Sequence, residues 1–249
     1  MAGPAPRTKP AAVPSAPASL VRRAPQAELI KLLCADALPR GWGERIGLFG
    51  APRTGKSFFS NRLLEYIADR VDVVVVHYPK EEPEKHFPSG AVRVDFADVV
   101  AKPPTDTNII VFNDRDLARI PKPVTLASWA MHQAREHRRK IAIVIDEIFY
   151  AQSGRQAWDG GALGPTAEAI RVGGSLGITF IGGSQVPQTM PTEMFDCPEN
   201  TVLFALEGRS LEYFDYQRDM LDATERLARG ECVVKQRGQP WNRTIYGPG

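Results

Sequence analysis

Gly50-Ala51-Pro52-Arg53-Thr54-Gly55-Lys56-Ser57 satisfies every constrained position of the pattern G-x-x-x-x-G-K-[ST], and few eight-residue stretches restrict a fold so tightly. The flanks agree with it. Arg45, Ile46, Gly47, Leu48 and Phe49 read as a short buried strand. Residues 57–69 read as a helix with Phe58, Phe59, Leu63, Leu64 and Ile67 on one broad apolar face. Strand, glycine loop and helix together make a cradle for a phosphate chain. Glycines let successive backbone N–H groups turn inward, and the helix N-terminus adds partial positive charge. The cradle takes in residues 50–58, Phe58 included. In it Lys56 would reach the β- and γ-phosphates of ATP, and the Ser57 hydroxyl would bind Mg²⁺.

A second signal lies about ninety residues on. Ile141-Ala142-Ile143-Val144-Ile145 is a buried strand that delivers two adjacent carboxylates, Asp146 and Glu147, to its C-terminal end. Ligands of open α/β sheets bind at that edge. In P-loop chemistry the first acid helps hold Mg²⁺, which suits Asp146, and a second can orient and deprotonate water, which suits Glu147. A third short strand, residues 177–182, leads through Gly183 and Ser184 to Gln185 at the same edge. A side-chain amide there could touch the γ-phosphate or the attacking water.

The rest of the chain supplies a frame for these elements. Residues 1–25 are rich in Ala and Pro and carry Arg7, Lys9, Arg22 and Arg23 but no acid, so they predict a disordered basic arm that cannot bury enough apolar surface to fold alone. It reads either as a solvated tail or as a tether to nucleic acid, a shell protein or a neighbouring subunit. Residues 26–249 predict one P-loop ATPase domain. An amphipathic helix over 27–38 comes first. Strands follow over 73–76, 91–95, 108–112 and 201–206, and Thr125 is the expected N-cap of a helix running to about residue 140. Arg135, Arg138, Arg139 and Lys140 crowd the end of that helix, where they read either as complements of its dipole or as a contact for DNA. A long helix over 210–229 should stop at Gly230, and strands 231–235 and 241–246 should pair as a terminal hairpin around Arg237-Gly238. The alternation of strands and helices gives an α/β fold with a mainly parallel sheet flanked by helices.

Composition narrows the partners. A net charge of +2 does not announce a nucleic-acid binder, so any such surface must be local. Three scattered cysteines suggest neither a disulfide framework nor a zinc site. The apolar runs are far too short to span a bilayer, and the N-terminus lacks the apolar core of a signal peptide, so no transmembrane segment is expected.

P-loop, an added strand ending in Asp-Glu, a helix with Arg171, then a Gly-Ile-rich strand ending in Gln resembles the FtsK–HerA superfamily of DNA-pumping ATPases. The stretch from Arg171-Val172-Gly173-Gly174-Ser175-Leu176-Gly177-Ile178 to Gln185-Val186-Pro187-Gln188-Thr189-Met190-Pro191 is similar to the region where members write an arginine, small residues, a strand, then Thr-Gln-Arg-Pro. Here Ser184 stands for the threonine and Val186 for the arginine. The resemblance covers about residues 45–246. The compactness of the chain is similar to that of the genome-packaging ATPases of membrane-containing icosahedral viruses with double jelly-roll capsids.

The resemblance implies a ring, usually a hexamer, with ATP at subunit interfaces, double-stranded DNA as the translocated partner, and a virion or host-cytoplasm location. Capsid or portal-vertex proteins could meet the N-terminal arm. It also implies an arginine supplied in trans, with Arg171 first and Arg155 second as candidates. The loop 153–161, with Arg155 and Trp158, reads either as a pore loop gripping DNA phosphates or as a surface loop with its tryptophan in the core. Three other readings remain. A P-loop kinase would share the glycine loop but has no use for the water-activating pair. A phage morphogenesis ATPase similar to the Zot proteins usually carries a membrane segment. A conjugation or replication motor is nearer.

Overall fold

The computed structural model describes residues 22–35, 38–78, 87–101, 108–113, 121–146, 164–187, 197–208, 210, 214, 222–239, 241 and 243–248. Among them eight strands build one sheet. They are β2 (Arg45–Phe49), β3 (Val73–His77), β4 (Val92–Arg93), β5 (Ile109–Phe112), β6 (Ile141–Ile145), β7 (Ile178–Ser184), β8 (Asn200–Leu203) and β9 (Val233–Gln236). Their order is β4-β5-β3-β6-β7-β2-β8-β9, parallel except for the last pair.

The β-branched runs are the reason both faces are covered. Val73 and Val75 pack with α4 (Pro123–His137) and α5 (Pro165–Val172), whereas Val74 and Val76 pack with α1 (Gln26–Leu33) and α2 (Lys56–Ala68). A continuous apolar run therefore serves two cores, with alternate residues on opposite faces. A short α3 (Phe96–Ala101) leads from β4 to β5.

Five details depart from the sequence reading. Of the segment expected as a disordered arm, residues 1–21 lie outside the described residues and Arg22–Pro25 form β1, which pairs in parallel with β10 (Thr244–Gly247) in a separate two-stranded sheet. Pro25 ends an edge strand, where its missing N–H breaks no ladder. The terminal hairpin shrinks to a single bridge, Cys232 with Tyr246, whose N–H groups donate to each other's carbonyls at 2.9 and 2.8 Å. β9 pairs with β8 instead and extends the main sheet. Helix α4 is entered through Pro123, after Lys122 with ψ 144, and closes at Arg138 with φ 52, so Thr125 lies inside it. The bias of a pre-proline residue toward extended backbone, with proline tolerated in the first turn, decides that boundary. No helix reaches Arg229: helical residues occur at 222–224, the chain is irregular by Leu227, and residues 211–213 and 215–221 lie outside the described part. Finally, Phe58 is 57% exposed, since the inward stripe of α2 runs through Phe59, Leu63, Leu64 and Ile67.

Among the described residues no helix is long and apolar enough to cross a membrane.

Candidate functional site

The glycine loop is held on three sides. Gly50 N–H donates to Ser184 O at 3.3 Å, Ala51 N–H to Ala205 O at 2.8 Å, and Gly230 N–H to Thr54 O at 2.8 Å. Inside the loop the Thr54 hydroxyl donates to Ala51 O at 2.8 Å. Two glycines are required by space. A Cβ on Gly50 would lie 2.6 Å from Phe204 Cβ, and one on Gly55, whose φ is +105, would lie 2.9 Å from Gly230 Cα. Arg53 also takes a left-handed backbone, φ 62.

The loop ends on α2 with its charge unanswered from within. No side chain caps the helix N-terminus, and its first turn holds no acid. The partial positive end of a helix of thirteen residues is thus left for an external anion. Lys56, only 8% exposed, folds over the loop and donates from Nζ to Gly50 O at 2.7 Å and Ala51 O at 3.0 Å. Ser57 is exposed one residue further on.

The other expected residues fall along the same sheet edge. Asp146 follows β6, half-buried, with its N–H on His77 O at 3.1 Å. Ala142 and Val144 pack on the α2 face, and strand alternation carries Asp146 to that face too. Gln185 follows β7, half-buried. It is set by a tight turn in which Val186 N–H donates to Ser184 Oγ at 3.0 Å. Because β7 lies between β6 and β2, Gln185 comes between Asp146 and the glycine loop, whose strands are about 10 Å apart at two inter-strand spacings. Glu147, Arg155 and Trp158 lie outside the described residues.

Arg171 is not part of this cluster. It is exposed in the last turn of α5, and its carbonyl accepts from Arg45 Nη1 at 2.9 Å. Arg45 opens β2, whereas the glycine loop follows its other end, a strand length of about 16 Å away. Within one chain Arg171 therefore sits at the sheet edge opposite the loop.

Several participants escaped the sequence reading. Gln26, fully buried at the start of α1, donates from Nε2 to Gly230 O at 2.7 Å, so α1 supports the segment that supports Thr54. Arg23 pairs with Glu231 beside it. Only the polarity of Gln26 within an apolar helix face hinted at this. His77 ends β3, 6% exposed, with Nδ1 unpartnered among the described residues. Burial pushes its pKa down to about 4, so it stays neutral at physiological pH.

Neither a protein-family model nor a curated protein sequence matches the chain. Solved structures do. The genome-packaging NTPase B204 of Sulfolobus turreted icosahedral virus 2, in complex with sulfate, superposes with a TM-score of 0.64 at 14% identity, over 83% of this chain and 97% of that one. The same protein in complex with AMPPCP gives 0.62 at 14% identity, over 83% and 98%. VirB4 of Thermoanaerobacter pseudethanolicus gives 0.58 at 13% identity, over 82% and 89%. The chain shares the fold of these solved structures.

Proposed function

We propose that this chain is an ATP-driven DNA-translocating motor, and more narrowly a genome-packaging ATPase that pumps double-stranded DNA into a capsid. One observation carries the reading. The glycine loop, Gln185 and Asp146 follow three neighbouring strands, β2, β7 and β6, at one sheet edge. A strand inserted between loop and acid gives a hydrolase a place for a γ-phosphate sensor, which a kinase does not need. The length match to a viral packaging NTPase supports the narrower reading.

The residues fit Mg-ATP. Residues 50–58 cradle the phosphates, and Lys56 exchanges its loop carbonyls for phosphate oxygens. Ser57 and Asp146 would hold Mg²⁺, which would supply charge neutralisation for the phosphate chain. Glu147 orients and deprotonates the attacking water, and Gln185 reports the γ-phosphate to the Ser184 turn that also accepts Gly50 N–H. Arg171, remote from its own loop, serves the site of the next subunit in a homo-oligomeric ring, most simply a hexamer. The basic arm would dock on capsid or portal-vertex proteins, and the motor would work in the virion or host cytoplasm. The likeness to the pCW3 conjugation coupling protein TcpA, with a TM-score of 0.51 at 13% identity, favours a conjugation motor as the second reading.

The test is steady-state ATP hydrolysis with and without double-stranded DNA, with Glu147→Gln as control. DNA stimulation lost in the variant supports the motor. Hydrolysis indifferent to DNA, or phosphate transferred to another acceptor, refutes it.

A further inference from the structure

The sheet edge opposite the glycine loop carries a second cavity, of about 860 Å³, within the roughly 300–1,000 Å³ typical of ligand pockets. It lies where β2 and β8 begin and β9 ends. Its walls include Trp42, Trp241, Arg40, Arg237, Glu44 and Asn200. Two of these residues stand out. Trp42 is 54% exposed, a large aromatic surface left to solvent. Asn200 is 4% exposed, and its Oδ1 accepts no hydrogen bond among the described residues. Buried acceptors without a donor are rare in folded proteins, and one lining a cavity calls for a donor from a ligand.

The charges say what kind of ligand. Glu199 is taken by Arg45, whose Nε donates to Oε2 at 2.9 Å and whose Nη2 closes a second contact on Oε1. Glu44, 3% exposed, lies in the field of the same Arg45 guanidinium, whereas Arg40 and Arg237 make no ion pair among the described residues. Lys140 extends the basic surface, since a Cβ on Gly41 would lie 3.7 Å from its Nζ. A planar group bearing N–H donors, with an anion attached, satisfies all of this at once. The basic arm of residues 1–21 does not, because it would bring more positive charge to Arg40 and Arg237.

We infer that this cavity binds an unpaired nucleotide of a nucleic-acid strand, its base stacked on tryptophan and donating to Asn200 Oδ1, its phosphate held by Arg40 and Arg237. Base–aromatic stacking is the usual device of single-strand binding and tolerates any sequence, while arginines at the rim supply the salt-dependent share. The site is separate from the glycine loop by the full height of the sheet. It gives the protein a hold on strand ends or melted DNA that does not depend on nucleotide hydrolysis.

The experiment is fluorescence anisotropy of a 5′-labelled twelve-nucleotide oligodeoxyadenylate titrated with the full chain, without ATP. An abasic oligomer of the same length serves as the comparison. Wild type should bind the base-bearing strand more tightly than the abasic one. Trp42→Ala should weaken the former about 5- to 150-fold, leave the abasic strand unchanged, and be largely rescued by Trp42→Phe. Asn200→Leu should weaken it as well. Trp42 is exposed, so Trp42→Ala should keep the wild-type thermal midpoint and remain informative if Asn200→Leu fails to fold. Equal affinity for the two strands, no binding by wild type, or an unaltered Trp42→Ala each overturns the proposal, and none of these results bears on hydrolysis at the glycine loop.

Discussion

His77 offers the most direct quantitative check on the structure. It ends β3 at the sheet edge that carries the glycine loop, and its carbonyl accepts the N–H of Asp146. Burial lowers its pKa from 6.5 to about 4. The unfolded chain therefore binds a proton that the folded chain refuses between those two values, and stability must fall as the pH drops through that window. The stabilisation is fully present above pH 6.5. The single-site linkage relation gives a loss of about 1 kcal/mol at pH 5.5 and about 3 kcal/mol at pH 4. That is a large share of the roughly 5–15 kcal/mol that holds a domain together. Urea unfolding at pH 7, 5.5 and 4 would be compared for wild type and His77→Asn. Carboxylates titrate in both proteins, so only the difference between the two profiles is read; the cost of the cavity at pH 7 is a constant offset. The gap should narrow by about 3 kcal/mol between pH 7 and pH 4. Parallel profiles would mean that His77 is solvated or charged in the fold, and the packing described for the end of β3 would be wrong.

Three further outcomes follow from the geometry. Gly43→Ala places a Cβ 1.9 Å from Ile178 O, a backbone atom that cannot yield, so we expect a loss of about 3 kcal/mol or more, read as a fall in Tm of roughly 6–12 °C; a shift below 2 °C would contradict the close approach of the two segments. A double-mutant cycle of Arg45→Met and Glu199→Gln should return a coupling of about 2 kcal/mol, because both side chains are mostly buried, and a coupling near zero would demote the pair to an exposed one. If Arg171 acts on a neighbouring subunit, Arg171→Ala should lower hydrolysis about 10³-fold, and mixing it with the equally inactive Lys56→Ala should restore part of the activity. Mixed rings as inactive as the separate variants would return Arg171 to the role of a solvated helix charge.

What could be read from the sequence was whatever local pattern determines. The valine run 73–76 specified a strand covered on both faces, and the glycine loop specified the strand and helix around it, because their constraints are satisfied within a few residues. The elements that eluded that reading depend on distant partners. Arg22 and its neighbours have poor strand character and become β1 only because β10 lies beside them. The segment after Gln236 turned as Gly238 predicted, with φ +72, yet β9 found a better ladder in β8 than in its own hairpin partner. Gly230 was expected to end a helix. It does adopt a left-handed backbone, φ +86, but in order to donate to Thr54. At the site, Asp146 and Gln185 were legible as polar residues ending apolar strands. Gln26 was not, since nothing near it in the chain says what its amide will meet. Thr125 misled for the opposite reason, as a good cap chemistry lost to the stronger backbone preference around Pro123.

The position of β2 has a consequence for how the protein is made. Its two sheet neighbours are β7 and β8, so Arg45 finds its partner at Phe180, about 135 residues further along. At a synthesis rate of roughly 5–20 residues per second, the nucleotide strand waits about 7–27 s on the ribosome before either neighbour exists. Through that interval Ile46, Leu48 and Phe49 have no ladder to join, and β3 and the helix after the loop offer them only an unfinished core. Closing so long a loop is entropically slow compared with local pairing. The chain should therefore emerge as a late-folding polypeptide that engages chaperones, and its glycine loop should become ordered abruptly, when the segment around Gly230 has left the exit tunnel and Thr54 gains its last backbone partner.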